Sequence, residues 1–332
     1  MNDINLGRLL RYLCRLASLA LCVTAATLAV AKAQNFPNRA VRIVVPAAAG
    51  GALDSISRLM AQKASEIWKQ TVYIENKPGA NWIIGMDAVA KAPPDGYTLL
   101  FVASTGLTVN PYVFSDMPLE PLRDLTPVTT ATETPYVLLA NQSLPAKTLP
   151  ELIAYLKANP KKLNHASNSS STMLVSELFK AQADVDYLDV NYRGASNAIV
   201  ATIAGTTQFC FVDLGSGSSA IEGKTLNVLG LTSGTRYKLQ PDIPTLAERG
   251  LPGFGVDSTT LLLAPANTPP DIMENLHSVF TQALRAPDVT AKLMSMGQVV
   301  EANSSEETMR NLRQEAEQWQ KLIKERHIQF GQ

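Results

Sequence analysis

The sequence predicts an α/β protein made of two similar units. Three observations carry this. Strand-like and helix-like stretches alternate nearly throughout, a strand–loop–helix device occurs twice, and 332 residues at 46% hydrophobic content suffice for two ordinary cores. The first device is Arg42-Ile-Val-Val-Pro-Ala-Ala-Ala-Gly-Gly-Ala-Leu-Asp-Ser55. Arg42 to Val45 is short, β-rich and apolar, as a strand in a covered sheet should be. Ala48, Ala49, Gly50, Gly51 and Ala52 form a small loop, whose glycines let the chain turn and a ligand come close. Either Asp54 or Ser55 caps the helix that follows, in which Ile56, Leu59, Met60 and Ile67 share a face. The second device is a strand from Leu163 to Ser167, a polar loop of Asn168, Ser169, Ser170, Ser171 and Thr172, and a helix through Met173, Leu174, Leu178 and Phe179. N–H groups at a helix start favour an anion. Two such loops imply a cleft clamped from both sides; the alternative for each is an ordinary turn that binds nothing.

The remaining elements follow in order. Val72 to Glu75 reads as a strand ending in the turn Lys77-Pro-Gly79, and Ile83 to Ala90 as a helix. Pro94-Asp-Gly96 turns into a strand from Tyr97 to Val102, with Ser104 and Thr105 at its C-terminal end. Tyr136 to Ala140 is a strand and Pro150 to Ala158 a helix. Tyr187 to Val190 leads into a loop carrying Tyr192 and Arg193, which opens a helix from Ala195 to Ile203. Gln208 to Val212 is a strand ending at Asp213, which either meets a ligand or caps the next turn. Strands from Leu226 to Leu231 and from Thr260 to Ala264 precede three helices: Pro270 to Leu284, Val289 to Met296, and Glu306 to Arg326. In the last, Met309, Leu312, Ala316, Trp319 and Ile323 form a core-facing stripe. The natural plan puts residues 34–135 and 262–332 in one lobe and 136–261 in the other.

The N-terminus reads as a secretory signal. Arg8, Arg11 and Arg15 precede an apolar stretch from Leu16 to Val30, and Ala31-Lys-Ala33 is an A-x-A cleavage site, so residues 1–33 are expected to be removed on export to the periplasm. The apolar stretch is short for a membrane span, and Leu21 before Cys22 is too bulky for lipidation. No membrane insertion is expected after cleavage. Cys210 is then the one cysteine left, inside Phe209-Cys-Phe-Val212, and reads as a small core residue. Lys plus Arg and Asp plus Glu both number 29, and no basic stretch interleaved with aromatics occurs, which argues against nucleic acid as a partner.

A catalytic constellation is not legible. His165 lies beside the polar loop and either touches a ligand or is structural; His277 lacks the second Glu-x-x-His of a di-metal site; His327 is near the end of the chain. No G-x-S-x-G elbow, Cys/His metal spacing or Walker loop occurs. Gly215-Ser-Gly-Ser-Ser-Ala220 matches a dinucleotide fingerprint but sits deep in the chain without the acidic residue that should follow. No cofactor or metal is expected, and a binder is favoured over an enzyme.

The segment Phe36-Pro-Asn-Arg-Ala-Val-Arg-Ile-Val-Val-Pro46 with Gly50, Gly51 and Asp54 resembles the opening of Bug-type solute receptors, the periplasmic components of tripartite tricarboxylate transporters. Glu75-Asn-Lys-Pro-Gly-Ala80, Pro94-Asp-Gly-Tyr-Thr-Leu-Leu100, Asn110-Pro111, Leu144-Pro-Ala-Lys147, Tyr192-Arg-Gly194, Pro241-Asp-Ile-Pro-Thr245 and Leu263-Ala-Pro-Ala-Asn-Thr-Pro269 fit the same pattern in order. The resemblance implies a type II periplasmic-binding-protein fold, two α/β lobes with a hinge and a ligand cleft. It implies a small organic carboxylate as ligand, held by one loop from each lobe, Ala48 to Ala52 and Ser167 to Thr172. Membrane permease subunits are the implied partner. The chain departs from the family at Asn81-Trp82, where relatives usually carry Gly-Gly, at Ala49, at the glycine-free loop Asn168 to Ser171, and around Thr259-Thr260. Trp82 either lies near the cleft edge or simply packs. Two other readings stay open: a hydrolase-like enzyme using Ser or His165, and a receptor serving a sensor kinase.

Overall fold

The computed structural model describes residues 36–328, and the predicted export signal with Cys14 and Cys22 lies outside them. The first part of the chain runs β1 (Val41–Val45), α1 (Ala52–Trp68), β2 (Val72–Asn76), α2 (Ile83–Ala90) and β3 (Thr98–Ala103). Three short helices, α3 (Thr105–Thr108), α4 (Asn110–Val113) and α5 (Pro121–Asp124), lead to the 16-residue strand β4 (Leu125–Ala140). Then come α6 (Leu149–Ala158), β5 (Asn164–Ser167), α7 (Ser170–Ala183), β6 (Leu188–Asn191), α8 (Ala195–Ile203), β7 (Phe209–Asp213), α9 (Leu214–Glu222) and β8 (Asn227–Leu231). The chain closes with β9 (Asp257–Pro265), α10 (Pro270–Arg285), α11 (Pro287–Ser295), β10 (Val299–Val300) and α12 (Ser305–Arg326).

The strands order as β2-β1-β3-β9-β4-β7-β5-β6, with β8 and β10 also paired to β4. β1 pairs in parallel with β2 and β3, and β5 in parallel with β6 and β7, so each end of the sheet is a small βαβ system. β4 joins the two. Leu125 to Pro135 pair with β9, whereas Tyr136 to Ala140 pair with β7 and β8. The strand therefore starts eleven residues before the expected Tyr136. Register shifts at Pro127/Thr129 and Thr130/Thr132 absorb a proline that a regular central strand would reject. β9 likewise starts at Asp257, ahead of the expected Thr260.

Helices cover both faces of each half. β3 is buried along its whole length. Leu99 and Phe101 pack with Ile56, Met60 and Phe280, and Leu100 and Val102 with Val44, Met86 and Leu261. In the other half Leu138, Phe209 and Phe211 pack with Phe179 and Tyr187, and Val137, Cys210 and Val212 with Ala198 and Ala220. The last helix serves both halves, where the sequence plan assigns it to one. Leu312 joins the core of the first, while Trp319, Leu322 and Ile323 join that of the second. Among the described residues no helix is long and apolar enough to cross a membrane.

Candidate functional site

A cavity of about 220 Å³ lies where the two halves meet. The first half lines it with Asn81, Trp82, Thr105, Val109 and Asn110, and the second with Ser169, Ser170, Ser171 and Leu174. Thr105 Oγ1 and Ser171 Oγ stand 3.2 Å apart across the junction. No lining residue is charged.

The N-terminus of α7 forms one wall. Ser169 is the N-cap, in extended backbone, and a reciprocal hydroxyl box closes the turn: Ser169 Oγ accepts from the Thr172 N–H, and Thr172 Oγ1 accepts from the Asn168 and Ser169 N–H groups. Met173 N–H is already bonded to Ser169 O. The first-turn N–H groups of Ser170 and Ser171 find no acceptor among the described residues, so the positive end of a 14-residue helix is left available at the cavity. The helix starts at Ser170, three residues earlier than expected, because the box lets the serines enter the first turn.

A left-handed turn forms the facing edge. Gly79, Ala80, Asn81 and Trp82 all have positive φ, at 135°, 45°, 50° and 74°. Each non-glycine residue there costs roughly 1–2 kcal/mol. Asn110 Nδ2 donates to Asn81 O at 2.7 Å and pins the turn. The Trp82 ring lies over Gly106, where an added Cβ would come within 3.0 Å of Cε3. Trp82 thus both packs and borders the cavity.

Beneath Thr105, Glu315 of α12 holds the end of β3. Its Oε1 accepts from Ser104 Oγ at 3.0 Å, Thr108 Oγ1 at 3.1 Å and Trp319 Nε1 at 3.1 Å. Burial pushes this carboxyl above its usual range, against those three donors. Tyr136, beside Ser258 and Ser171, is pushed up to about 12 by burial and stays a neutral phenol.

The other predicted site residues do not line this cavity. Ala48, Ala49, Gly50 and Gly51 form an exposed loop, and Ala52, also exposed, is the first residue of α1. Gly51 is the N-cap of α1 and makes no side-chain cap bond, so neither Asp54 nor Ser55 caps that helix. Asp54 instead reaches backward: its carboxylate accepts from the Gly50 N–H at 2.9 Å, Arg58 Nε at 2.9 Å and Asn76 Nδ2 at 2.9 Å. Arg58 foremost holds its pKa down to about 2, against burial and with help from Gly50 and Asn76. Ser104 is buried on Glu315. Ser167 Oγ donates to Asn191 Oδ1, and Asn168 Nδ2 to Phe211 O. Tyr192 is half-buried and Arg193 exposed. Asp213 is a cap, accepting from the Ser216 N–H at 2.9 Å and Ser216 Oγ at 2.8 Å. Thr105, Ser169, Ser170 and Ser171 are brought together at the cavity, and Thr172 supports them from behind. Sequence reasoning missed Val109, Asn110 and Leu174; only Asn110-Pro111, as a family motif, hinted at the second of these.

Residues weighed for catalysis have structural partners. His165 is fully buried, with Nδ1 on Asp189 at 2.7 Å and Nε2 accepting from the Phe211 N–H, and burial lowers its pKa. His277 Nδ1 donates to Val128 O. Burial pushes the Cys210 thiol up to about 12. The glycine-rich run is the helix α9, where a Cβ on Gly215 would meet Met296 O at 2.6 Å and one on Gly217 would meet Val137 at 2.8 Å. Close packing explains both glycines.

Residues 56–328 match the model of the tripartite tricarboxylate transporter family receptor, TctC. The chain belongs to that family. Like the rest of this TctC family, it is a solute-binding receptor rather than an enzyme. It is 37% identical over 321 residues to the "UPF0065 protein in tcbD-tcbE intergenic region" of Pseudomonas sp. (strain P51), covering 96% of this chain and 95% of that one. Among solved structures, Rpa4515 of R. palustris with adipate superposes with a TM-score of 0.76 at 30% identity, covering 87% of this TctC receptor and 97% of that chain. MatC of Rhodopseudomonas palustris with bound malate gives 0.74 at 30% identity, covering 87% and 100%. The two-unit α/β receptor fold implied by the sequence is the one observed.

Proposed function

We propose that this receptor captures a small organic carboxylate between two lobes in the periplasm and delivers it to membrane permease subunits. The observation that carries the reading is the uncharged cavity shared by both halves, with the Ser170 and Ser171 N–H groups and the Thr105 and Ser171 hydroxyls at its wall. Such donors satisfy a carboxylate without a formal positive charge. Relatives solved with adipate and with malate support the ligand class. The lobes are residues 34–135 with the stretch from Asp257, and 136–256. The hinge lies at Pro135/Tyr136 and Val256/Asp257, where β4 changes partners and β9 begins. Ser169, Ser170, Ser171 and Thr105 are the contact residues shared with the sequence reading; Asn81, Trp82 and Asn110 join them. Export through residues 1–33 completes the reading, and N-terminal sequencing of periplasmic protein should begin at Gln34.

Thermal unfolding with a panel of acids and their neutral amides tests the ligand class. A bound acid at about a hundred times its dissociation constant adds roughly 2.7 kcal/mol of stability. At least one acid should raise Tm and its amide should not. A panel in which only sugars or cations raise Tm would overturn the reading.

A further inference from the structure

We propose that Trp82 selects the ligand, admitting a carboxylate with one charged end and a compact apolar body and disfavouring diacids. The inference rests on the carboxylate reading above and concerns what the rest of the cavity accepts. One end of the site is suited to an anion: the free N–H groups of Ser170 and Ser171 with the paired hydroxyls of Thr105 and Ser171. The remaining lining is Trp82, Val109 and Leu174, with the neutral amides of Asn81 and Asn110. One N–H of the Asn110 amide is taken by Asn81 O, which leaves its second N–H and the Asn81 amide as the donors at this end. No Lys, Arg or His lines the cavity. A second carboxylate would therefore exchange its water for at most the neutral amides of Asn81 and Asn110 beside an apolar wall. At about 220 Å³ the space suits a small acid, below the roughly 300–1,000 Å³ of drug-sized sites.

Trp82 is fixed in this position. It ends a run of four positive-φ residues, its turn is bonded to Asn110, and its ring rests against Gly106. Strain of this kind persists where the surroundings over-determine it, and it clusters at ligand sites. An indole face offers a flat apolar surface against which an aromatic or aliphatic body packs.

The test compares wild type, Trp82→Gly and Trp82→Phe by calorimetry with benzoate, hexanoate, adipate and benzamide. Glycine suits the backbone at φ 74°, so Trp82→Gly removes the wall without adding strain. Wild type should bind benzoate or hexanoate at least tenfold more tightly than adipate. Trp82→Gly should cut that ratio at least tenfold, and Trp82→Phe should keep it within about threefold. Tryptophan emission should change on ligand addition in wild type, because Trp82 borders the site while Trp68 and Trp319 are bonded to Asn275 and Glu315. Adipate binding as tightly as the monoacids in wild type, or an unchanged ratio in Trp82→Gly, would overturn the proposal while leaving the carboxylate reading intact. Benzamide binding as tightly as benzoate, or no acid binding at all, would overturn both.

Discussion

The turn before α1 and the turn before α7 both follow a buried parallel strand, both consist of small residues, and both open a helix longer than ten residues. Their chemistry diverges at the third helical residue. In α1 that residue is Asp54, whose carboxylate folds back onto the Gly50 N–H and pairs with Arg58. In α7 it is Thr172, whose hydroxyl closes the turn without adding charge and leaves two N–H groups at an inter-lobe cavity. Similar composition thus produces one helix start that carries an ion pair and one that carries no charge. A neutral helix start by a cavity suits an anion better than one that already holds a carboxylate.

The sharpest way to break this contrast is to remove the carboxylate from α1. Asp54→Ala leaves the Gly50 N–H unpartnered, removes one of the two acceptors of the Asn76 amide and strips Arg58 of its ion pair, with an expected loss of roughly 1–3 kcal/mol in urea unfolding. Ligand affinity by calorimetry should stay within about twofold of wild type. The same carboxyl sets a pH dependence. It titrates at about 2 in the folded chain against 3.8 ordinarily, so its contribution is complete above about pH 4 and is lost as pH falls toward 2. Asp54→Asn should flatten that acid limb.

A smaller effect comes from Ser169→Ala in the open turn. Losing the cap to Thr172 N–H should cost about 1 kcal/mol of stability. Here affinity should fall as well, because the loop presenting Ser170 and Ser171 loosens. Equal affinity to wild type would show that the Ser170 and Ser171 N–H groups do not meet the ligand. The smallest effect is expected at a third turn of the same kind. Asp213→Asn keeps an acceptor for the Ser216 N–H, and asparagine caps helices about as well as aspartate, so stability should move by no more than about 0.5 kcal/mol. Asp213→Asn should also leave the order of ligand affinities unchanged, since Asp213 faces Ser216 rather than the cavity.

Much of the fold was legible because its punctuation is local. The helices Ile83–Ala90 and Ala195–Ile203 have the bounds the sequence predicts, the latter opened by Gly194 at φ 87°. Leu125 to Pro135 was not legible as strand: prolines at 127 and 135 argue against a central strand, and only the register shifts and the change of partner admit them. The candidate site divides in the same way. Ser170, Ser171 and Thr105 follow strand ends, where sequence points to ligands. Asn81 and Trp82 reach the cavity through positive φ values that no glycine announces, and Asn110 arrives by tertiary packing alone.

The helix α12 has a mechanical consequence. It lies as a stiff rod across a joint whose other connections are two strand crossings. Its midpoint is anchored by Glu315 on Ser104 and Thr108, and its far end rests against α7 through Ile323 and the 3.6 Å pair of Arg326 with Glu177. Held at its midpoint and its far end, the rod ties the two halves together, so any change in their angle must bend α12 or break its contacts.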